Sequence, residues 1–299
     1  MPKTQDVQIF VENSLRRSVR SGNHKFLGLL AKVLSEAGLT AQYRLMSERH
    51  TAIGLSLTHM KAPELGQGLV FRRVYHPPFW QIEQTEKRWD WSVAKATFEP
   101  ELIGEKEAKR FADFWRNRHF PDLETTLGDV IYVPLQGHLL RQRSFQSCSP
   151  IDMVAAVLNA TDRPVIITLH PNESYSEQEA AQLETLISRH ENARLEVGGM
   201  DQHLPSCHMV VTQNSTVAFN GYFFEKPAVL FGQIDFHHIA RKATVKTIGD
   251  ALLEAHKLPA STYEKYLWWF WKDQSINVSR SDAKDKIKAR LARFNWPVE

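Results

Sequence analysis

Short apolar runs alternate with amphipathic helical patterns along most of this chain. In the first half, apolar runs at residues 7–11, 41–46 and 69–75 predict buried strands. Apolar residues at helical spacing predict helices over residues 26–37 and 104–117, the first of them ended by Gly38. This order predicts that the chain begins as an α/β domain.

The second half repeats the alternation more regularly. Apolar runs predict five strands, at residues 130–133, 165–169, 195–197, 209–211 and 228–231. Ser149 before Pro150 and Ser176 before Glu179 are typical helix starts, because a serine side chain accepts the free N–H groups of a first turn. Strands that alternate with helices and are nearly continuous apolar runs predict a parallel sheet covered on both faces, which is a Rossmann-like domain.

Two segments interrupt this pattern. Residues 76–91 contain Pro77-Pro78 and three tryptophans, and they predict a loop that is either an aromatic plug under a domain interface or a binding surface. Residues 117–128 lack periodicity and are the predicted domain boundary. The predicted domains are therefore residues 1–125 and residues 126–260, followed by C-terminal helices over residues 261–299.

The C-terminal helices combine aromatic and basic residues. Helical patterns cover residues 248–255 and 263–271, and the second pattern carries Trp268, Trp269 and Trp271. Such a helix is typical of a core, while the lysines beside it and the basic stretch at residues 284–293 leave a membrane contact open as the alternative.

Composition narrows the class of protein. The chain has 299 residues, which suggests two domains. Its 37 Lys and Arg against 34 Asp and Glu give a net charge of +3, too small to indicate a nucleic-acid partner. Cys148 and Cys207 have no metal or redox spacing, and no signal peptide or membrane-spanning run is present in the sequence, so a cytoplasmic location is expected.

Polar residues follow four of the five predicted strands of the second half. In a parallel sheet these strand ends share one edge, where open α/β folds bind ligands. A helix start after Asn214 favours an anion, the hydroxyls of Ser215 and Thr216 can donate to phosphate oxygens, and a protonated His170 would add a positive charge. The sequence thus predicts, on neighbouring strand ends, a metal-free and cofactor-free nucleotide site formed by Gln136, His170, Pro171, Asn214, Ser215, Thr216 and Gly232.

Several other chemistries are disfavoured by their missing motifs. The G-x-G-x-x-G and G-x-x-x-x-G-K-[ST] patterns are absent from the sequence, which disfavours an NAD enzyme and a P-loop ATPase. No G-x-S-x-G elbow of a serine hydrolase is present. Zinc is disfavoured because His203, His208, His237 and His238 lack a helical H-x-x-x-H spacing with an adjacent Glu.

Four motifs in order carry a family resemblance over roughly residues 129–240. They are Val133-Pro134-Leu135-Gln136, Thr168-Leu169-His170-Pro171, residues 210–217 (VVTQNSTV) and residues 225–232 (EKPAVLFG). In this order they resemble the bacterial capsule polysaccharide synthesis proteins, which include Kdo transferases of GT-B architecture. The resemblance implies two Rossmann-like domains with a cleft between them and C-terminal helices packing across. It also implies that residues 1–125 bind the acceptor and that residues 126–260 bind the nucleotide-sugar.

The resemblance also implies an activity. It implies a metal-independent glycosyltransferase that moves an acidic sugar, Kdo or a sialic acid, from a CMP donor to a surface polysaccharide or a lipid-linked acceptor. His170-Pro171 and Ser215-Thr216 would hold the CMP phosphate, and a peripheral contact with the inner membrane would suit a lipid-linked acceptor. The alternatives are a UDP-sugar transferase of the same fold and a noncatalytic glycan-binding or assembly protein.

The catalytic carboxylate is expected in the first half, because GT-B enzymes bind the acceptor mainly on their amino-terminal domain. A carboxyl group beside aromatic rings is suited to acid–base chemistry. The candidates are Glu83, Glu86 and Asp90 in the tryptophan-rich segment, with Glu48 and His50 as a reserve pair.

Overall fold

The computed structural model describes residues 5–298, except for the side chain of Gln5. The chain divides into two compact units. The first unit contains the residues up to Ala96 together with those from Phe270 onward, and the second unit is Thr97–Trp269. This division differs from the predicted boundaries at residues 125 and 260, because helix Glu105–His119 packs against helix Ala260–Trp268 within the second unit.

Both units are built from a largely parallel sheet and covering helices. The strands are β1 (Gln5–Val11), β2 (Leu39–Leu45), β3 (Ser56–His59), β4 (Leu69–Arg73), β5 (Phe79–Glu83), β6 (Ile131–Pro134), β7 (Val165–Leu169), β8 (Ala193–Val197), β9 (Met209–Thr212), β10 (Ala228–Leu230), β11 (Arg241–Lys242) and β12 (Ile276–Asn277). The α-helices are α1 (Asn13–Arg20), α2 (Lys25–Glu36), α3 (Ser92–Lys95), α4 (Glu105–His119), α5 (Pro150–Asn159), α6 (Glu177–Ile187), α7 (Met200–His203), α8 (Thr216–Gly221), α9 (Ile248–Glu254), α10 (Ala260–Trp268) and α11 (Ala283–Arg293).

The sheet of the first unit has the order β12-β5-β4-β3-β1-β2. Strands β1 to β4 are parallel, whereas β5 runs antiparallel to β4 and β12 runs antiparallel to β5. Apolar residues of the sheet, α2 and α11 form one core, in which Val7, Ile9 and Leu57 are fully buried. The chain passes from β1 to β2 on one side and to β3 on the other side, so the topological switch point lies between β1 and β3.

The sheet of the second unit has the order β11-β10-β9-β6-β7-β8, and all its strands are parallel. Its core joins the sheet to α5, α6 and α9, with Val133, Val154 and Val211 fully buried. Strand β6 is the first strand of this unit along the chain and lies in the middle of the sheet, with β7 on one side and β9 on the other. This is the order of a Rossmann-like sheet, and its switch point lies between β6 and β9.

Most predicted elements are confirmed, within a few residues at their ends. Ser149 caps α5 by accepting the Asp152 N–H, and Ser176 and Glu179 form the capping box of α6. The prediction of a loop over residues 76–91 is wrong in part, because Phe79–Glu83 is a buried strand. These five residues are rich in strand formers, and pairing with β4 outweighs the two preceding prolines as a local signal. Besides β5, six of these elements were not predicted, namely α1, α3, α7, β3, β11 and β12.

The C-terminal aromatic helix is part of the core. Trp271 is fully buried and stacks on Phe79 with ring centroids 4.4 Å apart, and Trp269 is 6% exposed. In the basic stretch that follows, Lys286 donates to the carbonyls of Lys272, Asp273 and Ser275. Packing, rather than a lipid surface, therefore accounts for these tryptophans. Among residues 5–298, no helix combines the length and apolar character that crossing a membrane requires.

Candidate functional site

The predicted nucleotide-site residues follow the strands around the switch point of the second unit. Gln136 lies two residues after β6, and Asn214 and Ser215 lie just after β9, so these loops flank the switch point directly. His170 follows β7 on the far side of β6. Strands β7 and β9 are thus not neighbours, contrary to the prediction, and their ends are about 10 Å apart because two strand spacings separate them.

Several polar side chains at this edge have no hydrogen-bond partner in the part of the chain that the structure describes. Among residues 5–298, the side chains of Gln136, Asn214 and Thr216 make no hydrogen bond. Asn214 is buried, with 7% of its surface exposed, and its amide has no hydrogen-bond partner among residues 5–298. Protein polar groups near the interior are normally paired, and such a set at a strand edge is suited to a polar ligand.

Ser215 and His170 are oriented by local hydrogen bonds. The Ser215 Oγ accepts the Val217 N–H at 3.3 Å as the cap of α8, which leaves its own O–H available as a donor. The His170 Nδ1 accepts the Asn172 N–H at 3.2 Å, so the neutral ring carries its proton on Nε2. Both side chains therefore present a donor. Pro171 is exposed next to His170.

The loop between β6 and α5 adds a cation that the motifs did not reveal. Arg143 is partly buried, and its guanidinium lies over the Phe145 ring, 4.8 Å from the ring centroid. Burial lowers the pKa of Arg143, and the carboxylate of Glu173 opposes this effect without forming an ion pair with it. An arginine keeps its charge in such a setting, so Arg143 supplies a positive charge that no contacting carboxylate neutralises.

Three buried polar atoms beside this loop lack a hydrogen-bond partner within residues 5–298. They are Arg143 Nε, Gln146 Nε2 and Gln213 Oε1. Hydrogen bonds to the other amide atoms fix the orientation of both glutamines, because Gln146 Oε1 accepts the Arg143 N–H and Gln213 Nε2 donates to the Cys148 carbonyl. Each unpaired buried atom costs roughly 1–3 kcal/mol until a partner is supplied.

Gly232 allows two loops to meet at this edge. Its N–H donates to the Gln213 carbonyl at 2.8 Å, and residue 146 pairs with it as an isolated antiparallel bridge. A Cβ at position 232 would lie 2.8 Å from the Gln213 carbonyl oxygen. The glycine therefore has a steric role, which is to bring the loops after β6, β9 and β10 together.

The predicted catalytic carboxylates lie at a different edge of the first unit. Because β5 is antiparallel, Glu83 pairs with Val70 at the amino end of β4, opposite to the carboxyl ends of β1 to β4. Glu83 is buried, and its carboxylate accepts the N–H and O–H of Ser92. Burial raises the pKa of Glu83, and the positive charge of Arg290 is the main influence that lowers it. Glu86 is partly exposed. Asp90 is exposed, and its carboxylate lies 3.7 Å from the Lys95 Nζ. The placement of Glu83, Glu86 and Asp90 lends no support to a catalytic role for these residues.

The carboxyl edge of the first unit instead brings together Glu12 and His59. Glu12 follows β1, His59 ends β3, and these two strands flank the switch point. The His59 Nδ1 lies 2.7 Å from the Glu12 Oε2. The rings of His24 and His59 both pack near Trp80, with centroid distances of 5.3 Å and 6.4 Å. This pair was not predicted, because β3 is only four residues long and Glu12 is 47 positions from His59 in the sequence.

Glu48 of the reserve pair and His203, one of the histidines considered for zinc, have partners within the protein. Glu48 accepts the Leu45 N–H, which is the main cause that lowers its pKa, and it also pairs with Arg44. His203 Nε2 lies 2.8 Å from Glu196 Oε2. Across the part of the chain that the structure describes, no three His, Cys, Asp or Glu side chains group as a metal site.

Comparison with known proteins places this architecture among GT-B-like folds. Neither a family model nor a curated protein matches the sequence. The structure is similar to a KpsC β-Kdo 2,7 transferase of Thermosulfurimonas dismutans, with a TM-score of 0.55, 10% identity, and coverage of 98% of this chain and 100% of that chain. A KpsC β-Kdo 2,4 transferase of the same organism gives a TM-score of 0.49, 12% identity, and coverage of 88% and 89%.

This similarity confirms the predicted resemblance to Kdo transferases at the level of fold. The fold is a mixed α/β architecture with two largely parallel sheets, as predicted from the alternation of strands and helices. At 10% identity the likeness carries the fold alone, so the chemistry of this chain has to be argued from its own residues.

Proposed function

We propose that this protein is a glycosyltransferase that binds a nucleotide-sugar at the carboxyl edge of its second sheet. The observation that carries the proposal is the set of unpaired polar groups around the switch point between β6 and β9. These groups combine free amides, a free hydroxyl and a cation without an ion pair, which is the donor set that a phosphate and a sugar require.

The donor in this proposal is a CMP-activated acidic sugar, Kdo or a sialic acid. Arg143 binds an anionic group of the donor, and Ser215 and His170 each offer a further hydrogen-bond donor. Because about 10 Å separates the ends of β7 and β9, His170 and Ser215 contact different parts of one donor molecule. A UDP-sugar remains the alternative donor, since unpaired amides can bind either pyrimidine.

The acceptor in this proposal is a surface polysaccharide or a lipid-linked glycan, reached by a cytoplasmic enzyme at the inner membrane. Part of the basic C-terminal stretch is engaged within the first unit, since Lys286 and Arg290 donate to backbone carbonyls. Lys288 and Arg293 stay exposed, and they are the residues of α11 that a peripheral contact with anionic lipid would use.

Nucleotide titration tests the donor site. CMP, UDP and GDP are added to the purified protein, and the melting temperature is followed; a nucleotide at 100 times its Kd stabilises a fold by about 2.7 kcal/mol. We expect CMP to raise the melting temperature most. Arg143→Gln should weaken CMP binding by roughly 10- to 150-fold, the equivalent of one charge-assisted hydrogen bond of about 1.5–3 kcal/mol. His170→Ala should also weaken it.

The control is Arg141→Gln, which removes an exposed arginine from the same loop and should leave CMP binding unchanged. Stabilisation by UDP alone would select the UDP-sugar alternative. If no nucleotide shifts the melting temperature, the transferase proposal fails, and a noncatalytic glycan-binding protein becomes the better interpretation.

A further inference from the structure

The net charge of the chain is distributed unevenly between its two units. The first unit has 21 Lys and Arg against 12 Asp and Glu, which gives a formal charge of +9. The second unit has 16 Lys and Arg against 22 Asp and Glu, which gives −6. A basic part and an acidic part within one chain indicate an anionic partner for the basic part. The first unit is therefore where such a partner should bind.

Helices α1 and α2 carry a concentrated part of this positive charge. Residues 13–35, which cover α1 and nearly all of α2, contain no Asp or Glu. Their five cations are one partly exposed residue, Arg16, and four exposed residues, Arg17, Arg20, Lys25 and Lys32. Among residues 5–298, none of these five side chains forms an ion pair. They form a basic surface on the two helices.

The packing of the helices turns this basic surface outward. In α1, Leu15 and Val19 pack against the core of the first unit. Arg17 follows Leu15 by two residues, so it lies on the opposite side of the helix. In α2, Lys25 and Lys32 are two turns apart, so they lie on the same side, about 10 Å from each other along the helix axis. The cations are thus held in an ordered array on two packed helices.

The carboxylates next to the basic surface do not neutralise it. Glu12 and Glu36 bound the acid-free segment, and Glu48 interacts electrostatically with Arg16. All three are paired with other residues, namely Glu12 with His59, Glu36 with Lys284, and Glu48 with Arg44. A group of cations without a counter-charge on the protein is complementary to a partner that carries several negative charges.

The surroundings of the basic surface favour an acidic glycan over a membrane or a nucleic acid. Among residues 13–35, no large apolar side chain is exposed, so the surface offers nothing to insert between lipid tails. Phe26 is the only Phe, Tyr or Trp of this segment and is buried, so no such ring can stack on a nucleic-acid base. The cationic heads are suited to carboxylates, with which they form charge-assisted hydrogen bonds.

We propose that the basic surface binds an acidic glycan, a chain of sugars that carry carboxylates. This inference rests on the proposed function, because it identifies that glycan as the acceptor of the transferase. Several carboxylates of one chain contact the surface together, so the affinity increases with the length of the glycan. Because the cations are exposed, salt screens the interaction and weakens the binding.

The test measures the binding of α2,8-linked sialic acid oligomers to the purified protein by isothermal titration calorimetry. We expect an oligomer of about ten residues to bind more tightly than one of about three residues. Its affinity should fall as NaCl is raised from about 50 to about 500 mM. A variant that combines Arg17→Gln with Lys32→Gln should bind the longer oligomer roughly 2- to 30-fold more weakly, the equivalent of two exposed ion pairs.

The matched control combines Lys106→Gln with Arg110→Gln. Both residues are exposed on α4 in the second unit, so this variant has the same net charge as the test variant. It should bind the oligomer as tightly as the wild type does. Both variants should keep the wild-type melting temperature and its rise on CMP binding, because the four changed residues are exposed and lie outside the proposed nucleotide site.

The outcomes separate failure of the basic surface from failure of the transferase. If neither oligomer binds, if the affinity of the wild type does not depend on salt, or if test and control variants weaken binding equally, the assignment of the surface is wrong. The proposed function then still stands if CMP raises the melting temperature. If the glycan binds as expected but no nucleotide raises the melting temperature, the proposed function fails, and the identification of the glycan as an acceptor fails with it.

Two further ligands test the choice of partner. One is a vesicle of phosphatidylcholine and phosphatidylglycerol, and the other is an oligothymidylate. Tighter binding of either one than of the longer sialic acid oligomer, weakened by Arg17→Gln with Lys32→Gln, would overturn the proposal in favour of a membrane or a nucleic acid. The salt dependence of the wild type tests the proposal even if the variant does not fold.

Discussion

Replacing Gly232 by alanine tests whether the loops at the nucleotide edge meet as closely as the structure indicates. An added Cβ would lie 2.8 Å from the carbonyl oxygen and 3.1 Å from the carbonyl carbon of Gln213, and 3.3 Å from the Phe145 ring. Two of these neighbours are backbone atoms, which cannot move aside as a flexible side chain can. The same Gln213 carbonyl accepts the Gly232 N–H at 2.8 Å.

The expected cost follows from these contacts. Overpacking a closely packed site costs about 1–3 kcal/mol, and weakening the hydrogen bond between Gly232 and Gln213 adds about 0.5–1.5 kcal/mol. We therefore expect Gly232→Ala to lower the free energy of unfolding by about 2–4 kcal/mol. Urea denaturation followed by circular dichroism measures this difference.

Gly249→Ala is the matched control in the same unit. Apart from its chain neighbours and the backbone of its own helix, no atom of residues 5–298 lies within 4 Å of a Cβ added at Gly249, which is the second residue of α9. Alanine has a higher helix propensity than glycine, so this change should be neutral or stabilise by up to about 1 kcal/mol. Equal changes in the two variants would refute the close approach at Gly232 and, with it, the loop arrangement that places Arg143 and Gln146 at the edge.

Two further predictions concern buried residues of the first unit. Trp271→Ala should destabilise the fold by about 3–5 kcal/mol because it empties a fully buried site. Leu253→Ala, at an 80% exposed position, is the control and should change the stability by less than about 0.5 kcal/mol. Equal effects of the two substitutions would contradict the core role of the aromatic helix. Because burial raises the pKa of Glu83 above its ordinary value of 4.5, the protonated carboxyl stabilises the fold below about pH 4.5, and this contribution is lost as the pH rises through the folded-state pKa. The stability of the wild type relative to Glu83→Gln should therefore fall over that range in urea titrations, and a difference that is constant with pH would contradict this assignment.

The second unit was predictable from sequence because its signals are local. Four of its five main strands contain a continuous apolar run, and Ser149 and Ser176 mark helix starts through hydrogen bonds to residues three positions away. The same strands predicted one shared edge for Gln136, Asn214 and Gly232. Arg143 was missed, because an arginine in a polar loop has no local feature that shows whether a carboxylate neutralises it.

The first unit was harder to predict because its important contacts are distant in sequence. The strand Phe79–Glu83 follows two prolines, and pairing with β4 and with Ile276–Asn277 near the C-terminus is what stabilises it. Its antiparallel direction moves Glu83 to the amino edge of the sheet, opposite to the carboxyl ends of β1 to β4. A local pattern carries no information on strand direction.

Local patterns in the sequence establish the α/β class, the strands of the second sheet and the polar residues at their carboxyl ends, because hydrophobic periodicity and helix caps are properties of neighbouring residues. Which of these residues share a switch point depends on the folded sheet. The fold separates His170 from Ser215 by one central strand, leaves Arg143 without an ion pair among residues 5–298, and brings Glu12 to His59 across 47 positions. Strand order is set by the packing of the whole sheet, so it becomes known only when the chain is folded.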